Sequence, residues 1–116
     1  MKIAIFSDIH ANLPALEAFF KDIDQVNPDA IYCLGDLVGY NVWPNEVVRK
    51  LRERNIPTIM GNHEEALLTP PAKEEQFTNK GLTRSLLTEE NLDYLINLPR
   101  HLSLSFHNIW GDCNWL

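Results

Sequence analysis

Three short apolar segments, separated by two segments of helical periodicity, constrain the fold of this chain more than any other feature. Residues 2–7, 30–34 and 56–60 are short and largely apolar, as expected for strands that are buried on both faces. Residues 13–23 and 44–51, which lie between them, repeat apolar side chains every three or four positions, a spacing typical of amphipathic helices. Strands and helices that alternate in this order predict an α/β fold with a parallel β-α-β-α-β core.

Capping and turn residues mark the limits of these elements. Asn12 can cap the first helix, Pro14 is tolerated in its first turn, and residues 27–29 break it. Residues 43–45 contain the proline that begins the second helix. Because Pro57 has no backbone N–H, we expect it near the start of the third strand or on a sheet edge.

The second half of the chain has a different pattern. Residues 69–80 are polar and contain two prolines, which predicts a loop that leads away from the sheet. Thr88 can cap a further helix that Pro99 ends. The apolar residues of segment 102–106 alternate with serine, the period of a half-buried and typically antiparallel strand. With 116 residues and no internal repeat, residues 1–116 are expected to form a single domain.

Charge and composition exclude several classes of protein. Sixteen acidic residues against ten basic ones give a net charge of −6, and only residues 49–54 cluster cations as a duplex nucleic-acid surface requires. No apolar segment is long enough to cross a bilayer, and charge interrupts the N-terminus too early for a signal peptide. Cys33 and Cys113 are too few and too far apart for a disulfide framework or a cysteine zinc site. We therefore expect a cytoplasmic protein that binds neither duplex nucleic acid nor membrane.

Residues that can bind metal follow each predicted strand at once. Asp8 and His10 follow the first strand, Asp36 follows the second, and Asn62 and His63 follow the third. The carboxyl ends of neighbouring parallel strands lie side by side, so these side chains are expected to converge on one crevice. Oxygen and imidazole ligands together suit Mn²⁺, Fe, Zn or Ni²⁺. A carboxylate shared between two such cations is the arrangement used for displacement at phosphorus.

Each of these clusters also has an ordinary interpretation. Asp8 could cap a turn, His10 could be a surface imidazole, and Gly-Asp and Gly-Asn are common turn dipeptides. Gly35 and Gly61 would let the backbone bend where strand becomes loop. Three such clusters in order, each at a strand end, favour a shared site over three independent turns.

The clusters resemble the signatures of the calcineurin-like metallophosphoesterases, above all those of the small prokaryotic phosphodiesterase branch. They read D-x-H at 8–10, G-D-x-x-G at 35–39 and G-N-H-E at 61–64, and the similarity extends over about the first hundred residues. The resemblance implies the N-terminal half of a four-layer α/β/β/α sandwich. It also implies a hydrolase in which a metal-bound hydroxide at a dinuclear site attacks a phosphodiester or phosphomonoester.

The resemblance also assigns roles to individual residues. Asp8 and His10 would bind the first cation, Asp36 would bridge both cations, and the amide oxygen of Asn62 would bind the second. His63 would lie beside the leaving group, as a general acid or as a donor to the phosphoryl oxygens. Two divalent cations are implied, with Mn²⁺ preferred over Fe, Zn or Ni. The implied substrate is a small-molecule or nucleotide phosphoester.

The later histidines of the family pattern have no counterpart here. The family completes its site with an H-G segment and a G-H-x-H motif, whereas this sequence offers only His101 and His107, without those motifs. Residues 107–116 do not resemble the family's next strand, which predicts an incomplete domain. The alternative to a phosphoesterase is therefore a truncated, non-catalytic remnant or interaction module that binds at most one metal firmly. An exposed sheet edge would also allow a homo-oligomer.

Overall fold

The computed structural model describes residues 1–72, 78–108 and 111–115. The strands are β1 (Ile3–Phe6), β2 (Ala30–Cys33), β3 (Leu104–Asn108) and β4 (Gly111–Trp115). The helices are α1 (Leu13–Val26), α2 (Pro44–Glu53), α3 (Asn62–Glu65), α4 (Asn79–Leu86) and α5 (Glu89–Ile96), and a 3₁₀ turn at Ala66–Leu68 follows α3. Within the described residues no helix has both the length and the apolar character needed to cross a membrane.

The first β-α-β unit forms as its sequence predicts. β1 and β2 pair in parallel, in a register that runs from Ile3 opposite Ala30 to Phe6 opposite Cys33, with α1 between them in the chain. The two strands therefore end at the same edge, and the residues after Phe6 lie next to the residues after Cys33.

The predicted third strand at 56–60 is reduced to a single parallel bridge between Cys33 and Thr58. The N–H of Cys33 donates to the Pro57 carbonyl, and the N–H of Ile59 donates to the Cys33 carbonyl, each at 3.0 Å. The preceding rung of a parallel ladder would need a donor at position 57, which proline lacks. Beyond Cys33, the backbone turns away at Gly35, whose φ is +100°. The prediction of a five-residue strand is therefore wrong in extent, although its residues run beside β2.

Three of the helices begin where their capping residues indicate. The Asn12 side chain accepts a hydrogen bond from the N–H of Ala15 at 3.2 Å, and Pro44 is the first residue of α2. The Thr88 hydroxyl accepts from the N–H of Asn91 at 3.2 Å at the start of α5.

One helix and one strand differ from expectation. The predicted loop at 69–80 ends earlier, because the hydroxyl of Thr78 accepts from the N–H of Gly81 at 3.3 Å and caps α4. Residues 73–77 of that loop lie outside the described residues. The predicted late strand is confirmed as β3, and its antiparallel partner is β4, which the sequence analysis did not predict.

Buried apolar side chains join α1, α2, α5 and the end of β2 into one core. Cys33 is buried within it as a small apolar residue, and burial raises the pKa of its thiol to about 12. The core thus holds the strand ends in place, and the polar side chains lie in the loops that follow the strands. Fully buried members of this cluster are Leu16, Leu37, Val47, Val48, Leu51 and Leu95.

Candidate metal centre

The loops after β1 and β2 bring three of the predicted ligands together. One ligand atom from each of Asp8, His10 and Asp36 lies within 4.8 Å of the other two, close enough for one cation to contact all three. Backbone hydrogen bonds hold the loops against each other: the N–H groups of Asp8, His10 and Ala11 donate to the carbonyls of Gly35, Asp36 and Leu37 at 3.1, 3.0 and 2.6 Å.

All three of these residues have left-handed backbone conformations. The φ angles are +62° at Asp8, +50° at His10 and +55° at Asp36. A left-handed conformation costs a non-glycine residue about 1–2 kcal/mol, and such costs concentrate at functional sites. The hydrogen bonds between the loops hold this unfavourable geometry and set the direction of the side chains.

Two glycines are needed here for different reasons. Gly35 has φ +100°, and a Cβ there would lie 2.7 Å from the Ile59 carbonyl oxygen. Gly61 has an ordinary φ of −87°, but a Cβ there would lie 2.5 Å from the backbone nitrogen of Asp36. Gly35 therefore provides a bend, as predicted, whereas Gly61 provides the space that lets the third loop approach Asp36.

His10 is oriented so that one ring nitrogen faces the site. Its Nδ1 lies 3.0 Å from the Val38 carbonyl oxygen, which can only accept, so Nδ1 carries the proton. In a neutral ring the Nε2 lone pair then faces Oδ1 of Asp8 at 3.2 Å. Two acceptors facing each other are satisfied by a cation between them, and a carbonyl that fixes the histidine tautomer is typical around metals.

The side chain of Asn62 lies against the carboxylate of Asp36. In one orientation the Asn62 amide nitrogen donates to Oδ1 and Oδ2 of Asp36 at 3.0 and 2.9 Å. In the opposite orientation the amide oxygen faces the same carboxylate, which again requires a cation between the two. Asp36 thus contacts Asn62 and also belongs to the group with Asp8 and His10.

Glu64 accepts a hydrogen bond from the backbone of Asp36, a role that the sequence analysis did not predict. Its side chain is fully buried, and Oε1 accepts from the N–H groups of Asp36 at 2.6 Å and Gly61 at 3.0 Å. Oε2 accepts from the N–H of Leu37 at 3.0 Å. Burial raises the pKa of Glu64 above its ordinary value, and the N–H donors of Gly61 and Asp36 offset only part of this rise. The available signal was an acidic residue at the third position of a helix that begins after Gly61.

Asp8 is the most exposed of the three candidate ligands. Its side chain is 58% exposed, and the Ser7 hydroxyl donates to it. This hydrogen bond, together with the nearby His10, holds the pKa of Asp8 below its ordinary value. Asp8 is therefore ionised at neutral pH and suited to bind a cation.

His63 and Tyr40 form an aromatic group with His10. The His63 ring centroid lies 4.7 Å from that of His10, and the Tyr40 centroid lies 4.9 Å from each histidine. The backbone N–H of His63 donates to Oδ1 of Asp36 at 3.0 Å, which ties this residue to the ligand cluster. Tyr40 was not predicted, because its position depends on Asn79 of α4, whose side-chain oxygen accepts the Tyr40 N–H.

The two later histidines are not brought to this cluster. His101 is an exposed residue between α5 and β3 and is not among the three candidate ligands that group together in the described part of the chain. His107 belongs to β3, and the position of its side chain lies outside what the structure describes.

Known proteins share this arrangement of sequence and fold. The model of the calcineurin-like phosphoesterase family matches residues 1–114. A metallophosphoesterase from Sphaerobacter thermophilus superimposes with a TM-score of 0.72 and 39% identity, over 85% of this chain and 41% of that one. An uncharacterised Methanocaldococcus jannaschii protein, MJ0912, is 39% identical over 102 residues, 84% of this chain and 42% of that protein. A candidate diadenosine tetraphosphatase has a TM-score of 0.65 and 27% identity, over 84% and 43%. The chain spans about two fifths of the length of these relatives.

Proposed function

This chain belongs to the calcineurin-like phosphoesterase family, and on that premise we propose that it is a metal-dependent hydrolase of phosphoester bonds. The observation that carries the proposal is the meeting of acceptor atoms at the strand ends. Oδ1 of Asp8 faces Nε2 of His10 at 3.2 Å, and a carboxylate oxygen of Asp36 lies within 4.8 Å of a ligand atom of each. Such contacts are favourable when cations lie between the acceptors.

The proposed ligand sets overlap at Asp36. Asp8, His10 and Asp36 would hold one cation, and Asp36 and Asn62 would hold a second. Carboxylate oxygen, amide oxygen and imidazole nitrogen suit Mn²⁺, with Fe, Zn and Ni²⁺ as the other candidates. When bound, such cations supply the positive charge that activates water and stabilises the oxygens of the phosphoryl group.

Neighbouring residues orient His10 and His63 and determine which ring nitrogen of each holds a proton. Val38 holds the proton of His10 on Nδ1, so that Nε2 keeps its lone pair for the cation. The Nδ1 side of His63 packs against Gly39, where an added Cβ would lie 2.5 Å from that nitrogen. We therefore assign proton donation to the leaving oxygen to Nε2 of His63, a step worth about 10²–10⁴-fold in rate.

The proposed substrates are small phosphodiesters or phosphomonoesters, including nucleotides. The name of one structural relative, a candidate diadenosine tetraphosphatase, supports a nucleotide phosphoester as one such class. A net charge of −6 opposes binding of duplex nucleic acid, whose phosphates need clustered cations.

The experiment that tests this proposal is a Mn²⁺ titration of the chain and of Asp36→Asn, followed by electron paramagnetic resonance of the free ion. The substitution removes the carboxylate shared by both cations, so we expect Mn²⁺ affinity to fall by at least about 100-fold. Asp22→Asn, an exposed change on α1, is the matched control and should bind as the unchanged chain does. Equal binding by Asp36→Asn would contradict the proposal.

The second candidate function is a non-catalytic module that binds one cation firmly. The second cation has only Asp36 and Asn62 among the described residues, which favours this alternative. β1 pairs only with β2 within the described strands, and its Ile5 is 51% exposed, so this edge could bind another chain. Phosphoester turnover that rises as the second site fills separates the two functions.

A further inference from the structure

A cavity of about 360 Å³ adjoins the metal centre and shares two residues with it. Asn62 and His63 of α3 line this cavity, and both also contact Asp36. The cavity continues from them between the 3₁₀ turn and α4, where Leu67 and Thr83 form its walls. A molecule that reaches the cations can therefore extend past His63 into this space.

Three residues of the cavity wall are packed into the core. Val38 is 1% exposed, Leu67 is 2% exposed and Thr83 is 4% exposed, so these side chains are held by the core around them. Most of the exposed lining surface is carbon, although Thr78, Asn79 and Lys80 at the start of α4 also line the cavity. The volume falls within the range of sites for small organic molecules, about 300–1,000 Å³.

We propose that this cavity binds the organic group of the phosphoester, and that this group is mainly apolar and at least as large as an aromatic ring. The inference rests on the proposed function, because it places the phosphorus at the Asp8, His10, Asp36 and Asn62 cluster. His63 stands between the cluster and the cavity, so the ester oxygen that carries the organic group lies next to its ring. Esters with a small group such as methyl would leave the apolar walls without contacts.

The affinity of two non-hydrolysable phosphonates tests the inference without requiring turnover. Phenylphosphonate and methylphosphonate present the same anionic head to the cations and differ only in the organic group. In calorimetric titrations of the Mn²⁺-loaded chain, we expect phenylphosphonate to bind at least about tenfold more tightly, because its ring buries apolar surface. Equal affinities would overturn the inference.

A substitution at the mouth of the cavity provides the second arm of the test. Ala66 lines the cavity but is exposed and helical in backbone conformation, so a larger side chain there leaves the core intact. In Ala66→Phe the two phosphonates should bind with about equal affinity, because phenylphosphonate binds more weakly while methylphosphonate binding is unchanged. Ala66→Leu should show an intermediate ratio of the two affinities. Ala18→Phe makes the same change at an exposed position of α1 and should retain the preference.

The outcomes separate this inference from the proposed function. Failure of the chain to bind Mn²⁺ would overturn the proposed function and, with it, this assignment of the cavity. Binding of Mn²⁺ and both phosphonates with no preference for the ring would overturn only the assignment. A preference that survives in Ala66→Phe would place the ring elsewhere and would equally contradict it.

Discussion

Asp8, His10 and Asp36 have a left-handed backbone conformation that brings their three side chains together. Contacts between the loops maintain this conformation. Each of these residues takes part in a backbone hydrogen bond between the loops that follow β1 and β2. Relaxation of one loop would therefore move ligands of both. The accuracy of the site depends on how closely the third loop, at Gly61, can approach Asp36.

A methyl group at Gly61 should disturb this approach. The Cβ of Gly61→Ala would lie 2.5 Å from the Asp36 nitrogen, so Asp36 must move, and we expect about 1–3 kcal/mol of lost stability and weaker Mn²⁺ binding. Gly39→Ala is the comparison, because its Cβ would meet the His63 ring instead. Urea unfolding should show both variants destabilised, whereas Mn²⁺ titration should show weaker binding only for Gly61→Ala. Unchanged Mn²⁺ affinity in Gly61→Ala would contradict this account.

The hydrogen bonds that Glu64 accepts should hold the backbone of Asp36 in position. In Glu64→Gln one carboxylate oxygen becomes an NH₂ group, which cannot accept a backbone N–H, so a buried donor is left unsatisfied. We expect a loss of about 1–3 kcal/mol in the free energy of unfolding, and Mn²⁺ affinity lower by about 10–100-fold.

The neighbouring residue supplies the control. Glu65 is 55% exposed and pairs with Arg100 at 3.3 Å, an ion pair of a kind that contributes little in water. Glu65→Gln should therefore change the free energy of unfolding by less than about 0.5 kcal/mol. Equal effects of the two substitutions in urea unfolding would show that the contacts of Glu64 do not matter.

At the scale of elements, α1 and α2 are joined by an ion pair as well as by the apolar core. Nη1 and Nη2 of Arg54 each donate to one carboxylate oxygen of Asp24 at 2.9 Å, and the guanidinium carbon lies 4.0 Å from the Phe20 ring centroid. The hydrogen bonds from Arg54 hold the pKa of Asp24 below its ordinary value of 3.8. The pair therefore ties the end of α1 to the residue that follows α2.

This ion pair predicts a pH dependence of stability. Because the pKa of Asp24 is lower in the folded chain than in the unfolded one, its contribution is present above pH 3.8 and is lost as pH falls through the folded pKa. The urea midpoint of the unchanged chain should therefore fall more steeply below pH 3.8 than that of Asp24→Asn. Asp22→Asn should retain the steep fall, and identical profiles for all three chains would refute the coupling.

Elements with local signals could be predicted from the sequence, and elements that depend on distant contacts could not. Caps at Asn12 and Thr88 act within three residues, so the helices they begin were predictable. The start of α4 was hidden, because Gly81 and Thr83 are its buried residues and neither is apolar enough to show a helical period. The prediction of the third strand was wrong in extent because Pro57 lacks a backbone donor, which shortens the ladder to one bridge.

The same division applies to the candidate site. Parallel pairing alone predicted that Asp8, His10 and Asp36 meet, because the pairing fixes which strand ends are neighbours. The roles of Glu64 and Tyr40 could not be predicted, since they depend on contacts with Asp36 and Asn79, 28 and 39 residues away in sequence. Which buried donors a carboxylate satisfies is visible only when the chain has folded.

At the scale of the whole molecule, the ligands are distributed unevenly between the two proposed cations. The first has two carboxylates and an imidazole, whereas the second has one shared carboxylate and a neutral amide. Metal sites usually draw three or four protein ligands. The described part of the chain therefore holds enough ligands for one firm site and one weak site.

This imbalance predicts that turnover follows the second cation and not the first. We expect Mn²⁺ titration to give one site of moderate affinity and a second at least about tenfold weaker, because two ligands offset less of the hydration of the ion. Hydrolysis of bis(p-nitrophenyl) phosphate should stay low while only the first site fills and should rise as the second fills. The measurement is turnover against Mn²⁺ concentration, beside the binding curve from electron paramagnetic resonance. Asn62→Asp adds a negative charge to the ligand set of the second site and should shift the rise to lower Mn²⁺. Two equally tight sites in the unchanged chain, or full His63-dependent turnover with one ion bound, would mean that this ligand count is wrong.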